Sequence, residues 1–138
     1  MIPYLLFLTL IFFYRIGGNL PNNWVNQEET FTFCAPGNIP YISPTNMTTP
    51  YAHFSDGTID ICTGAASEFS RIRYARSFLS VDTGGHVNHP WMTYKKVRAF
   101  TIEPLDKTGF LAVDGERIPF GPIQVYVAPS LLNFFCYE

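Results

Sequence analysis

The last third of the chain is a succession of short β-type segments, each cut off by a turn signal. Residues 94–103, 110–113, 117–120 and 123–127 read as strands, with Asp114-Gly115 and Gly121-Pro122 as turns between them. Residues 131–135 are a closing strand candidate. Val, Ile, Thr, Phe and Tyr recur in these segments, the residue types that fit a pleated, half-buried surface. Short strands joined by short turns at this density point to a mainly β fold, an antiparallel β-sandwich with one or two short helices.

The earlier part of the chain agrees, with one exception. Residues 24–34 alternate loosely around Trp24, Phe31 and Phe33 and form one or two strands. Residues 35–51 carry Pro36, Gly37, Pro40, Pro44 and Pro50, so turns dominate there, with a short extended piece at Tyr41-Ile42. After the Asp56-Gly57 turn, Thr58-Ile59-Asp60-Ile61-Cys62 alternates with period two, the pattern of a half-buried strand. Along residues 94–103, Val97, Ala99 and Thr101 fall on one face. The exception is residues 68–79, where Phe69, Ile72, Phe78 and Leu79 recur near helical spacing while Arg71, Arg73 and Arg76 lie off that stripe. A helix of about three turns is expected, with Ser67 as N-cap, Gly84-Gly85 beyond its end and its apolar stripe packed on a sheet.

Composition excludes several functions. With 47% hydrophobic and 14% charged residues in 138, the chain folds, as about one domain. A net charge of -2 without a basic cluster argues against nucleic acid. Cys34, Cys62 and Cys136 are an odd number without Cys-x-x-Cys spacing. Buried thiols in a reducing compartment are therefore expected, not a disulfide framework or a zinc site. His53, His86 and His89 lack metal-ligand spacing on a recognisable helix.

Residues 2–14 are almost unbroken apolar, closed by Arg15. That is short of the roughly 20 residues a bilayer-spanning helix needs, and no basic residue precedes the run as in a secretory signal. A membrane-associating segment, a poor signal sequence and a buried element of a larger protein all stay open. Residues 1–20 are an unassigned apolar segment and linker, and residues 21–138 the folded domain. The Asn46-Met47-Thr48 triplet is a formal glycosylation acceptor, a pattern that also arises by chance.

Phe110-Leu111-Ala112-Val113-Asp114-Gly115-Glu116 sets two carboxylates around a glycine at a strand end. Placed in a cleft, they would suit a nucleotide or its metal ion. The alternative is a plain β-hairpin, for which Asp-Gly between apolar residues is the commonest signal.

Several segments, taken in order, resemble the C-terminal half of a sphingosine kinase, within the diacylglycerol and sphingosine lipid kinase family. Pro50 through Asp60 resembles a Pro-x-x-x-Phe-Asp-Asp-Gly-x-hydrophobic-Asp element, with Ser55 replacing the first Asp. The stretch His89-Pro90-Trp91-Met92-Thr93-Tyr94-Lys95-Lys96-Val97-Arg98-Ala99-Phe100 is similar to a Pro-Tyr-x-x-Tyr-x-x-Val-x-Ala-Phe strand, and Glu103-Pro104 follows. Val113-Asp114-Gly115-Glu116 and Gly121-Pro122-Ile123-Gln124 complete the set, which spans residues 24–135. Each element is weak alone; their order and spacing are specific. The Gly-Pro-Ile-Gln ending favours sphingosine kinases over ceramide or diacylglycerol kinases. Asp56-Gly57-Thr58 imitates the end of the family's Gly-Gly-Asp-Gly-Thr phosphate loop. Phe54-Ser55 stands where that loop has glycines and a strand follows, so this is not the nucleotide loop.

The resemblance implies a two-domain ATP-dependent kinase that phosphorylates a sphingoid base, as in forming sphingosine 1-phosphate. Its N-terminal domain would hold the catalytic Asp and most of the nucleotide site; nothing in this chain resembles that half. No catalytic residue is therefore assigned here, and the chain alone is expected to lack kinase activity. Asp114, Gly115 and Glu116 would reach across the cleft toward ATP and its Mg²⁺. Phe69, Ile72, Phe78 and Leu79 would wall a lipid cavity, since an acyl chain needs a continuous apolar lining. The implied partners are the sphingoid base, a membrane surface and an N-terminal kinase domain, in a cytoplasmic, peripherally membrane-associated protein. Ceramide or diacylglycerol as substrate, or a non-catalytic β-rich lipid-binding module, are the other readings.

Overall fold

The structure is a computed structural model that describes residues 2–9, 24–68 and 70–131. Six strands form one antiparallel sheet: β1 Ile2–Thr9, β2 Val25–Gly37, β3 Ile59–Ala65, β4 Met92–Val97, β5 Ala99–Pro104 and β8 Ile123–Tyr126. Their order across the sheet is β4-β3-β2-β1-β5-β8. A separate hairpin pairs β6 Ala112–Val113 with β7 Glu116–Arg117. One helix, α1 Arg71–Leu79, and a 3₁₀ turn, Gly85–Asn88, fill the β3–β4 connection.

The sheet becomes a sandwich by folding over on itself. β4 is an edge strand, and β5 lies on the far side of β1. Yet Val97 of β4 and Phe100 of β5 share one buried cluster with Phe31, Ile59, Ile61 and Ile102. Two consecutive strands can serve both halves of one core only if the chain turns a corner between them, here at Arg98, whose carbonyl accepts from the Val127 amide at 2.9 Å. Ile123, Val125 and Val127 pack against the cluster from the far edge. The corner also corrects the expected facing. Val97 points into the core, but beyond Arg98 it is Phe100 and Ile102 that do so, which leaves Ala99 and Thr101 buried on the opposite side.

β3 is buried on both faces, not one. Ile59 and Ile61 enter the core, while Asp60 and Cys62 are buried on the other face, where Lys96 and Tyr94 join Asp60 to Tyr51 in the loop of residues 38–58. Thr49, fully buried, braces this loop from within: its Oγ1 donates to the Ile39 carbonyl at 2.7 Å. The extended piece expected at Tyr41-Ile42 is not a strand; only an isolated Ser43–Asn46 bridge forms nearby.

The apolar N-terminal run has a place in this fold. Ile2–Thr9 lies mid-sheet, antiparallel to both β2 and β5. No helix among the described residues is long and apolar enough to cross a membrane. Cys34 and Cys62 are free thiols, and burial pushes both up to about 12, so they stay protonated and inert. Cys136 and residues 132–135 lie outside the described residues.

Candidate functional site

The Asp114-Gly115 pair is a two-residue hairpin turn. Asp114 has φ 51° and Gly115 φ 84°, so both central residues are left-handed, the geometry of a type I′ turn between twisted strands. Val113 pairs with Glu116, and the Ile118 amide donates to the Leu111 carbonyl at 3.0 Å. At the base, the Arg117 guanidinium lies 5.8 Å from the centre of the Phe110 ring. The turn reading holds: the turn carries the carboxylates into solvent, and Asp114 and Glu116 are exposed. Neither carboxylate has an ion pair or hydrogen bond among the described residues. An added Cβ at Gly115 would meet open space, so within this chain its glycine answers to the positive φ.

α1 differs from expectation in its start and its facing. Ser70, not Ser67, is the N-cap, its Oγ accepting from the Arg73 amide at 3.3 Å. Ser67 instead donates to Glu29. At 100° per residue, Arg73 and Ser77 share one side of the helix, and that polar side is the one facing the protein. Trp91 Nε1 donates to Ser77 Oγ at 2.9 Å, and the Arg73 guanidinium sits 5.3 Å from the Trp91 ring centre while pairing with Glu68 at 2.9 Å. His89 stacks on the Trp91 ring, with the ring centres 4.5 Å apart. The expected packing of the apolar stripe on a sheet does not occur. Ile72, Phe78 and Leu79 are 73%, 65% and 79% exposed. Phe69 lies outside the described residues.

The residues that sequence reasoning missed form an ionic network around one buried carboxylate. Asp60 is fully buried and sits directly across the ladder from Lys96. Lys96 Nζ donates to Asp60 Oδ1 at 2.8 Å, to Asp56 Oδ2 at 2.8 Å and to the Tyr51 carbonyl at 2.6 Å. The Tyr94 hydroxyl donates to the other Asp60 oxygen and accepts from the Tyr51 amide. Burial, with the bond to Asp60 and its negative charge, holds Tyr94 well above the ordinary phenol range. Lys96 is raised: burial opposes its charge, but the hydrogen bonds and charges of Asp56 and Asp60 outweigh that. Burial pushes Asp56 up, and the bonds from Lys96 and Thr58 more than reverse it, to about 2. Asp56 thus organises its turn, as expected: its Oδ1 accepts from the Thr58 amide at 2.9 Å and hydroxyl at 2.6 Å. Asp60 fitted the polar side of the period-two alternation, so no local signal marked its burial, and only the register supplies its partners.

This network joins the Asp60 element to the Tyr94 element, two segments that carried the resemblance. The comparisons agree with it. A family model described as the YegS C-terminal NAD kinase beta sandwich-like domain matches residues 23–136. The chain belongs to this family. Sphingosine kinase 2 of Homo sapiens is 33% identical over 118 residues, 84% of this chain and 18% of that protein. Sphingoid long chain base kinase 5 of Saccharomyces cerevisiae is 32% identical over 86% of this chain and 18% of its own length. Sphingoid long chain base kinase 4 of Schizosaccharomyces pombe is 37% identical over 72% of this chain and 22% of its own length. The chain thus spans about a fifth of the curated relatives it matches, and it corresponds to the C-terminal part of sphingosine kinases. Within the YegS C-terminal domain of this chain, no described group of three or more His, Cys, Asp or Glu is placed to hold a metal.

Proposed function

We propose that this domain is the lipid-binding and nucleotide-completing half of an ATP-dependent sphingoid-base kinase, working with an N-terminal kinase domain at a membrane surface in the cytoplasm. The observation that carries the reading is the β6–β7 hairpin, which projects two carboxylates without partners among the described residues from a domain whose named relatives are sphingosine and long-chain base kinases. The donor set fits Mg²⁺-ATP. Magnesium takes one or two carboxylates and completes its shell with phosphate oxygens and water, so a full protein cage is not required.

In this reading Asp114 and Glu116 hold the cation or the ribose hydroxyls, and Gly115 supplies the turn that presents them. The bound cation neutralises charge on the phosphates. Phosphoryl transfer depends on such positioning and electrostatics, so these residues orient the nucleotide while the base that activates the lipid hydroxyl lies elsewhere. Ile72, Phe78 and Leu79, with Phe69 adjoining in sequence, contact the lipid chain. Their exposure on α1 supports this, because three exposed apolar side chains along about two turns of helix need a covering surface.

A chimera tests the proposal. Residues 23–136 replace the matching segment of human Sphingosine kinase 2, and transfer from radiolabelled ATP is measured with sphingosine, ceramide and diacylglycerol. Phosphorylated sphingosine above the other two supports the reading. A folded chimera that binds lipid and transfers no phosphate supports a non-catalytic lipid-binding module instead.

A further inference from the structure

The chain contains two Asp-Gly steps, Asp56-Gly57 and Asp114-Gly115. Both glycines are left-handed, at φ 71° and 84°, and an added Cβ at either would meet open space. Their backbones are alike, but the carboxylates beside them are not. Asp56 is held on both oxygens, Oδ1 by the Thr58 amide and hydroxyl and Oδ2 by the Lys96 ammonium. Asp114 has no hydrogen bond or ion pair among the described residues, and every residue from Ala112 to Arg117 is exposed. The hairpin that carries Asp114 rests on the pairs Ala112–Arg117 and Val113–Glu116 and on the bond from the Ile118 amide to the Leu111 carbonyl. A ribbon this short opens readily, because an isolated two-stranded hairpin is marginally stable.

An Asp side chain is just long enough for the amide nitrogen of the next residue to close a ring on its Cγ. Glycine in that next position has no side chain to obstruct the approach. A tethered carboxylate is kept from turning toward the nitrogen, and the Lys96 charge, 2.8 Å from Asp56, favours the ionised form, which does not react. We propose that Asp114-Gly115 is a site of spontaneous backbone isomerisation, from which Asp56-Gly57 is protected by Lys96 and Thr58. The Gly115 nitrogen gives up its proton and bonds to Asp114 Cγ, and the carboxyl hydroxyl leaves with a proton as water, forming a succinimide. Water then opens the ring. Attack at Cγ restores aspartate. Attack at the former backbone carbonyl turns that carbon into the free carboxylate and routes the chain through Cγ. The product is isoaspartate, unchanged in composition and charge. It adds one methylene to the main chain inside a two-residue turn, so the register of Val113 with Glu116 is lost and the carboxylate is displaced. The isomerisation stands on the hairpin alone. Its effect on phosphoryl transfer rests on the reading of Asp114 and Glu116 as nucleotide contacts: an aged domain ceases to complete the nucleotide site.

The test ages the 138-residue protein at mildly acidic pH in heavy-oxygen water and maps its peptides by mass spectrometry, with fragmentation that separates isoaspartate from aspartate. Heavy oxygen entering at a residue marks its passage through the ring. Isoaspartate at Asp114 should form about tenfold or more faster than at Asp56, the factor carried by one charge-assisted hydrogen bond. In urea the tethers of Asp56 are gone, and the two sites should age at comparable rates. Asp114→Glu, whose longer side chain does not form the succinimide, should abolish the signal at that position. Asp114→Asn should give the same product faster, with release of ammonia. Circular dichroism establishes that both variants fold. Equal ageing of the two sites in the folded protein, ageing confined to Asp56, or no isoaspartate at Asp114 overturns the proposal. So does a difference that persists in urea, because local sequence would then set it. In the chimera with human Sphingosine kinase 2, Mg²⁺-ATP should slow ageing at Asp114, since a carboxylate that holds a cation does not close the ring. Isoaspartate that forms at an unaltered rate with nucleotide bound leaves the isomerisation site standing and contradicts the nucleotide reading.

Discussion

Asp60 and Lys96 occupy opposed positions on the β3–β4 ladder, and the Lys96 ammonium meets the fully buried Asp60 carboxylate at 2.8 Å. Removing the lysine leaves a buried carboxylate with Tyr94 as its remaining side-chain partner. Lys96→Met should therefore destabilise the domain by about 2–3 kcal/mol, below the loss for a wholly buried pair because the lysine is 39% exposed. Adding Asp60→Asn should recover part of the loss. Urea unfolding of the two single variants and the double variant measures the coupling; strict additivity would mean that the pair does not act as a unit.

His86 gives the domain an acid-sensitive point. The ring is 3% exposed; its Nε2–H donates to the Thr48 carbonyl at 3.1 Å, and Nδ1 has no partner among the described residues. Burial lowers its pKa, and the positive charge of nearby His89 acts the same way, against the bond to Thr48. The unfolded chain therefore binds a proton here more readily than the folded one, so stability is lost as pH falls through about 6.5. Thermal melts between pH 8 and 5, on the order of half a unit apart, should show a declining midpoint. His86→Gln keeps a donor for Thr48 without a titrating group, and its decline should be shallower.

Gly115 is held to glycine by its backbone. Gly115→Ala places a Cβ at φ 84° and should weaken the hairpin by about 1 kcal/mol, while Gly115→Asn should be milder because Asn tolerates the left-handed region. Cross-strand contacts between Val113 and Glu116, followed by NMR, report the hairpin directly. Equal behaviour of the two variants would contradict this account.

The core and the α1 ridge should respond oppositely to truncation. Phe100→Ala opens the shared core and should cost about 3–5 kcal/mol. Leu79→Gln, on a side chain 79% exposed, should change stability by less than about 0.5 kcal/mol. A large loss at Leu79 would show that the ridge is packed within this chain.

Period-two alternation and turn residues made the strands, the Asp-Gly hairpin and the Asp56 turn legible in the sequence, because those signals are local. What escaped was set by distant partners. The corner at Arg98 reverses which of Val97, Ala99 and Phe100 face the core, and no local pattern announces it. Asp60 read as the polar side of a half-buried strand, since only pairing with β4 and the links to Tyr51 in the 38–58 loop make it a buried ion. The α1 stripe was found correctly, but its facing was not. Periodicity identifies an apolar face without saying what lies against it, and here Trp91 recruits the polar side. The acidic pair was legible as a motif and as a turn, and its target belongs to another part of the reading.

The most direct measurement is the transfer rate of the chimera with human Sphingosine kinase 2 in wild-type form and with Glu116→Ala and Asp114→Ala. The account predicts sphingosine phosphorylation by the unsubstituted chimera and a loss on substitution of about tenfold or more in kcat or in ATP affinity, with the melting temperature unchanged. Unaltered ATP kinetics in both variants would contradict it.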